Sequence, residues 1–329
     1  MPAPIRSAQR VTVVLNPRAG AGRALLHVDA LKRALDRHAS AWELLLTEGP
    51  GHAAVLAAEA AARGVDVVAA AGGDGTAHEV VCGLLPAAGA VSPLPDFALL
   101  PFGTGSDLQR SILAPDAVEE AVALAVHGRG RAVDVGLAEV SRPGEAPLGV
   151  RMPFINVAGF GANGEVVRQA NASSKRLGGA ATFFGAALRT AFQYTPPRVR
   201  LVLRGPSGQG TWEGPLLSAF LANGAYCGGG MWVGKGGAID DGLLDLSLLP
   251  PDPAFTQVLR SPRLYDGGLA GWPGVKRAMV TEIEASALSD APVFVDLDGE
   301  SPGQLPARFG VLPGAMMVRG AWRSGAART

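Results

Sequence analysis

The chain has 329 residues, longer than one hydrophobic core usually serves, so two domains are expected. It is 48% hydrophobic and 18% charged with a formal net charge of zero, a packed composition without the basic field that drives nucleic-acid binding. Cys82 and Cys227 are far apart and lack metal-ligand spacing, as expected of a reduced cytoplasmic protein. The first residues lack a signal-peptide apolar core, and no uncharged apolar run of about 18 residues suits a membrane span.

In chain order, residues 11–15 read as an apolar strand and Asn16-Pro-Arg-Ala-Gly-Ala-Gly22 as a turn. Leucines at 25, 26, 31 and 35 give 24–39 helical spacing. A second strand is expected at 42–47, an alanine-rich helix at 51–63, a third strand at 65–71 and a fourth at 97–100. The fourth ends in Pro101-Phe-Gly-Thr-Gly-Ser-Asp107, and 118–127 reads as a helix. Strands alternating with helices argue a doubly wound, mostly parallel α/β sheet. Ligands bind beyond the carboxyl ends of such strands, so the glycine turns at 16–22, 72–76 and 103–107 are expected to converge. Beyond about residue 132 the segments become short and β-rich. Strands are expected at 198–204, 216–222, 243–249, 280–285, 292–297 and 314–320, with one helix at 179–194. Residues 142–147 and 205–210 read as loops and 250–273 as a long Pro/Gly-rich connection. The second domain is therefore expected to be an antiparallel β-sandwich.

The apolar run that ends in Gly72-Gly-Asp-Gly-Thr76 carries the clearest chemistry. Its glycines permit positive φ and close approach of a ligand to the backbone. Its amides and the following helix N-terminus suit an anion. Asp74 repels a phosphate unless a divalent cation bridges the two, and Thr76 either caps the helix or touches a phosphate oxygen. A plain strand-to-helix turn would also use glycine, but has no need of the acid.

Asn16-Pro17 with Gly20, Gly72-Gly-Asp-Gly-Thr76, Gly103-Thr-Gly-Ser-Asp107 and Asp298-Gly-Glu300, in that order, resemble the diacylglycerol kinase catalytic-domain family. That family includes sphingosine and ceramide kinases and bacterial lipid kinases. Residues 156–163 and 239–245 resemble further blocks of it, whereas Gly-Gly-Asp-Gly-Thr alone is shared with NAD kinases. The resemblance implies an α/β N-terminal domain at 1–132 with a doubly wound, mostly parallel sheet. It also implies a C-terminal antiparallel β-sandwich at 133–329 that takes the lipid. ATP is implied near Asn16, Pro17 and Gly20, with further contacts from Thr47, Gly72, Gly73, Asp74, Gly75, Thr76, Glu79, Gly103 and Thr104. Mg²⁺ is the implied metal. A separate structural metal site is implied at the Asp241 carboxylate with the carbonyls of Ala238 and Leu243. Asp298-Gly-Glu300 matches the block that supplies the proton acceptor.

Phosphoryl transfer needs alignment, charge neutralisation and a base for the attacking hydroxyl. Mg²⁺ takes oxygen ligands and keeps several waters, so Asp74, Asp107 and Asp134 are candidates to hold it. Asp74 also counts as catalytic. Glu300 or Asp298 would accept the lipid hydroxyl proton, with Glu300 favoured and Asp298 positioning, although Asp-Gly is equally a hairpin-turn signal. The chain departs from the family's pattern at Ser106, where asparagine is usual, at Asn163, where many members carry aspartate, and at 233–237, which often holds proline. A neutral Asn163 favours a neutral head group such as diacylglycerol or ceramide.

The implied activity is an ATP- and Mg²⁺-dependent lipid kinase, cytoplasmic and transiently membrane-associated. It has a lipid partner at the membrane surface, no nucleic acid partner, no transmembrane segment and a homodimer as its candidate assembly. A kinase of a soluble alcohol such as NAD, or a nucleotide-binding regulator without catalysis, remain the alternatives. Gly229 to Lys235 has P-loop spacing, but Gly236 stands where Ser or Thr is required. His78 reads as a helix-start residue, and the other histidines show no metal spacing. Phe184, Leu188 and Phe192 share one helical face, read as core packing, with an acyl-pocket wall or a membrane-touching surface as the alternative.

Overall fold

The computed structural model describes residues 10–85, 93–103, 107–172, 179–234, 238–266 and 268–322, with backbone only at 179–184, 268 and 270. The described chain folds as two compact units, one within Met1–Val133 and Gly314–Thr329, the other Asp134–Pro313. The sequence reading put the change at 132/133 and gave everything after it to the second domain. The structure instead returns the end of the chain to the first unit.

In the first unit β1 (Arg10–Leu15), β2 (Ala41–Leu46), β3 (Val67–Gly72) and β4 (Asp96–Pro101) form a parallel sheet in the order β2-β1-β3-β4. Val67–Gly72 is buried along its whole length, as a parallel strand covered on both faces must be. The covering helices are α1 (Val28–His38), α2 (His52–Ala62), α3 (Asp74–Leu84), α4 (Asp107–Ile112) and α5 (Val118–His127). Leu31, Leu35, Val122 and Val126 pack against Val11, Leu15 and Val67 in one core. Small residues let α2 and α3 approach closely, because a Cβ at Gly83 would overlap the Ala54 carbonyl.

The helix expected at 24–39 is split. A 3₁₀ segment covers Ala19–His27, where Gly20, Ala21 and Gly22 have positive φ, and the α-helix starts at Val28. Beyond the turn that ends at Asp107, residues 108–112 carry no expectation from the sequence, and the structure forms α4 there. It forms because a side chain distant in sequence caps its first amides, as described below.

The second unit holds β5 (Gly130–Ser141, which begins in the first), β6 (Val150–Phe154), β7 (Val157–Gly161), α6 (Ala162–Ala172), α7 (Gly179–Gln193), β8 (Arg198–Gly205) and β9 (Gly208–Pro215). These are followed by β10 (Ser218–Ala222), β11 (Tyr226–Cys227), β12 (Met231–Trp232), β13 (Leu244–Leu249), α8 (Ala254–Arg260), β14 (Lys276–Val280), β15 (Glu282–Ala287), β16 (Val295–Leu297) and β17 (Gln304–Arg319, whose residues from Gly314 on belong to the first unit). The antiparallel orders β17-β15-β8-β9 and β14-β13-β10-β7-β16 enclose an apolar core. Within it Phe160 stacks on Phe309 at 5.8 Å, so the expected sandwich is present.

Several local expectations are corrected. Residues 250–273 hold α8 and the 3₁₀ turns Ser261–Leu264 and Gly268–Gly271 rather than a bare connection. Residues 205–210 are a hairpin turn that leads into β9, 280–285 divides into β14 and β15, and α6 and α8 join α7 as helices. Gly228, Gly229 and Gly230, all with positive φ, turn the β11–β12 hairpin. The P-loop spacing therefore falls on a hairpin, with Lys235 and Gly236 outside the described residues.

Candidate active site

Three strand-end turns meet in the first unit. Asn16 Oδ1 accepts the Arg18 amide at 2.9 Å, closing an Asx turn through Pro17, while its Nδ2 donates to Thr76 Oγ1 at 3.2 Å. A Cβ on Gly20 would lie 2.7 Å from the Phe102 carbonyl. Gly72 accepts the Phe102 and Gly103 amides at 3.0 and 3.1 Å, and a Cβ on Gly103 would overlap Gly73 Cα. Backbone therefore packs on backbone where the turns cross, which only glycine permits.

α3 begins at Asp74, inside the glycine motif, with Gly73 as its N-cap residue and no side-chain cap. Thr76 folds over Gly72 instead of capping, so one of its two expected roles is not used. Gly75 faces open space. A helix N-terminus without a side-chain cap, flanked by turns free of Cβ atoms, fits a nucleotide phosphate.

The Asp74 carboxylate accepts the Asp107 and Leu108 amides at 3.3 and 3.1 Å, which caps α4 and joins the turns after β3 and β4. Asp107 is buried and pairs with Arg110. Mg²⁺ commonly takes one or two carboxylates with phosphate oxygens and water, a donor set that Asp74 and Asp107 fit. Among the described residues no group of three or more His, Cys, Asp or Glu is arranged for a metal. Glu79 accepts the Gly51 and Ala53 amides at 2.9 and 3.1 Å, so it holds the turn into α2. Thr47 is buried and donates its amide to Leu15. Thr104 lies outside the described residues. His78 sits inside α3, buried, 3.5 Å from Cys82 Sγ.

In the second unit Asp298 and Gly299 both have positive φ, and Leu297 and Glu300 exchange backbone hydrogen bonds of 2.8 and 2.9 Å. This is the primed two-residue hairpin that Asp-Gly favours, and it leaves Glu300 exposed. The Asp298 carboxylate accepts three amides, from Ile155 at 2.8 Å, Asn156 at 3.0 Å and Val157 at 2.9 Å. The hairpin turn and the segment that resembles the family's proton-acceptor block are thus the same residues.

Buried Asn223, which the sequence reading missed, donates to the Asp134 and Ile155 carbonyls at 2.9 and 2.7 Å. Nothing local in the sequence marks it. Asp134 accepts the Gly242 amide at 2.6 Å, so it belongs to the second unit and holds the 240–242 loop, whereas Asp74 and Asp107 share the first. Asp241 accepts the Ala238 and Leu243 amides at 3.1 and 3.0 Å. The Ala238 carbonyl, one of the expected metal ligands, accepts the Asp241 amide.

An apolar cavity of about 220 Å³ lies among α6, α7, α8 and β10, with Leu188, Phe220, Val258 and Trp272 in its wall. Asn163 also lines it, and its buried Oδ1 has no hydrogen-bond partner. The amide nitrogen of Asn163 fills the space left by Gly159 of β7. Thr190 also lines a second cleft of about 580 Å³, together with Glu165, Arg168, Tyr194 and Phe294. The Arg168 guanidinium holds the Glu165 carboxyl below its usual range, and burial pushes the Tyr194 phenol up. Leu188 and Phe192 are exposed, which corrects their reading as core residues. The side chain of Phe184 lies outside the described set.

Residues 10–138 match the family model of the diacylglycerol kinase catalytic domain, and residues 156–320 that of the YegS C-terminal NAD kinase beta sandwich-like domain. A protein of Pseudomonas syringae pv. syringae (strain B728a) named "Probable lipid kinase YegS-like" is 32% identical over 300 residues, 90% of each chain. One of the same name from Stenotrophomonas maltophilia (strain K279a) is 29% identical over 84% of this chain and 85% of its own. A crystal structure of a diacylglycerol kinase from Bacillus anthracis str. Sterne superposes with TM-score 0.69 over 98% of this chain and 100% of that one, at 20% identity. Yeast NADH kinase complexed with NADH gives 0.53 at 9% identity, over 95% of this chain and 83% of that one. These two structures speak for the fold alone. On the family models and the sequence relatives, the chain belongs to the diacylglycerol kinase catalytic-domain family, among its YegS-like lipid kinases, and is a phosphotransferase with an alcohol group as acceptor.

Proposed function

We propose that the protein transfers the γ-phosphate of MgATP to the hydroxyl of a neutral lipid, of the diacylglycerol or ceramide kind, taken from a membrane surface. The observation that carries the choice of lipid is the apolar cavity walled by neutral Asn163, whose partnerless Oδ1 offers an acceptor and no charge. A cationic amine there would lack a counter-ion and lose its hydration. The glycine turns and the start of α3 would bind the phosphates, and Asp74 with Asp107 would hold a hydrated Mg²⁺ that neutralises the phosphate charge.

In the reaction the lipid oxygen forms a bond to the γ-phosphorus and the bond from that phosphorus to the β–γ bridging oxygen breaks. ADP leaves, and the hydroxyl proton passes to Glu300. Asp298, occupied by three amides, positions Glu300. Asp134 supports the 240–242 loop.

The test is transfer of labelled γ-phosphate to diacylglycerol, monoacylglycerol, ceramide, sphingosine, phosphatidylglycerol and NAD, the lipids in mixed micelles. Diacylglycerol or ceramide should be labelled, with the signal lost on chelation of Mg²⁺ and in Glu300→Ala. Labelling of sphingosine or NAD in preference would refute the choice of substrate. ATP binding with no labelled product would point to a regulator without catalysis.

A further inference from the structure

α7 and α8 pack against each other and turn large apolar side chains to solvent. Phe192 is 67% exposed, Phe255 77% and Leu259 69%, and Leu188, Val258 and Tyr265 beside them in sequence are also exposed. A lone exposed apolar residue needs no explanation, but a cluster on two packed helices marks an interaction surface. Charge narrows the choice of partner. Residues 179–193 and 254–265 contain no Asp or Glu, their cations are Arg189, Arg260 and Arg263, and the exposed acid next to them in sequence is Asp266 at the end of the segment. Arg260 is engaged with Asp252 and stacks over Trp272, while Arg189 and Arg263 are exposed. Aromatic and aliphatic side chains on two helices whose only charges are arginines complement an anionic bilayer.

The cavity supplies the second argument. Its wall includes Leu188 of α7 and Val258 of α8, both also part of the exposed cluster. A bilayer seated on these helices would therefore lie against the residues that line the apolar cavity, and an acyl chain could pass from one to the other without crossing water.

We infer that the α7–α8 face is the surface by which the protein docks on an anionic membrane, with Phe192, Phe255 and Leu259 entering the headgroup region and Arg189 and Arg263 facing lipid phosphates. This rests on the lipid-kinase reading for its purpose, but its test does not depend on catalysis. Full-length wild type and the Phe192→Ser/Phe255→Ser/Leu259→Ser variant are sedimented with vesicles of phosphatidylcholine, with and without phosphatidylglycerol. None of the three residues lines the cavity. Binding to phosphatidylglycerol vesicles should fall at least about tenfold in the variant. Arg189→Ala and Arg263→Ala should each weaken it about fivefold, and only on anionic vesicles. Turnover of a water-dispersed short-chain diacylglycerol should stay unchanged while turnover of long-chain diacylglycerol in vesicles falls.

Equal sedimentation of wild type and the triple variant would overturn the inference. So would a change from dimer to monomer in the triple variant with vesicle binding intact, which would make a second copy the occupant of the face. Loss of short-chain turnover in parallel with vesicle binding would show a structural role and also overturn it. If vesicle binding follows the expected pattern while no lipid is phosphorylated, the docking face stands and the substrate reading fails.

Discussion

Gly103 has no room for a methyl group, because its Cβ would overlap the backbone of Gly73. Gly103→Ala must push apart the turns after β3 and β4. The expected result is a loss of about 1–3 kcal/mol of stability and weaker ATP binding, both read from thermal melts with and without MgATP. Asp298 and Glu300 are expected to separate by readout. Asp298→Ala orphans three backbone amides and should lower Tm together with kcat. Glu300→Ala removes an exposed carboxylate and should abolish turnover with a smaller loss of Tm than Asp298→Ala. Asn163→Asp places a carboxyl in the apolar cavity and should raise sphingosine turnover relative to diacylglycerol, measured as a ratio of kcat/KM. At this scale the glycine and Asp-Gly signals were legible because they act through local φ and ψ. The duties of Thr76, Glu79 and Asn223 were not, since each is set by partners distant in sequence.

Periodicity located most helices and strands because burial of one face repeats along the chain. It missed α6 and α8, and α8 lies in a stretch where proline and glycine mask a short helix. It also misread the exposed face of α7, because an apolar stripe is the same whether it packs in a core or meets a lipid surface. Between α1 and α5 an exposed ionic cluster offers a pH test. Glu119 of α5 pairs with Arg37 and His38 of α1. Hydrogen bonding from Arg37 first, then His38, holds its carboxyl down to about 2, from an ordinary 4.5. A lowered carboxyl pKa means the stabilisation is present above the ordinary value and is lost as pH falls toward the folded one. The Tm advantage of wild type over Glu119→Gln, small because solvent screens the pair, should close as pH falls from 4.5 towards 2.

In the molecule as a whole, the return of the chain end is what the sequence reading misplaced. The last residues of β17 add a parallel strand beside β4, with Val318 opposite Phe97. Buried Arg319 donates to Asp96 at 2.6 Å and to the carbonyls of Val126 and Gly128 at 2.8 and 3.1 Å. Arg319→Ala removes the partner of all three acceptors and should cost about 3 kcal/mol. A chain stopped after Pro313 should lose MgATP binding, measured by calorimetry, although all three glycine turns are retained. Retained binding would show that the first unit closes without its last strand. The two-domain α/β and β-sandwich architecture, the three glycine turns and the Asp-Gly-Glu hairpin are written in composition, period or local backbone preference, and so are legible from the residues alone. That the turns pack backbone on backbone, that Asp74 caps α4, that Asp298 grips residues 155–157 and that β17 returns to the first sheet emerges only in the folded chain. Those outcomes depend on which distant amides and carbonyls must be satisfied once buried, and no short window of sequence carries that information.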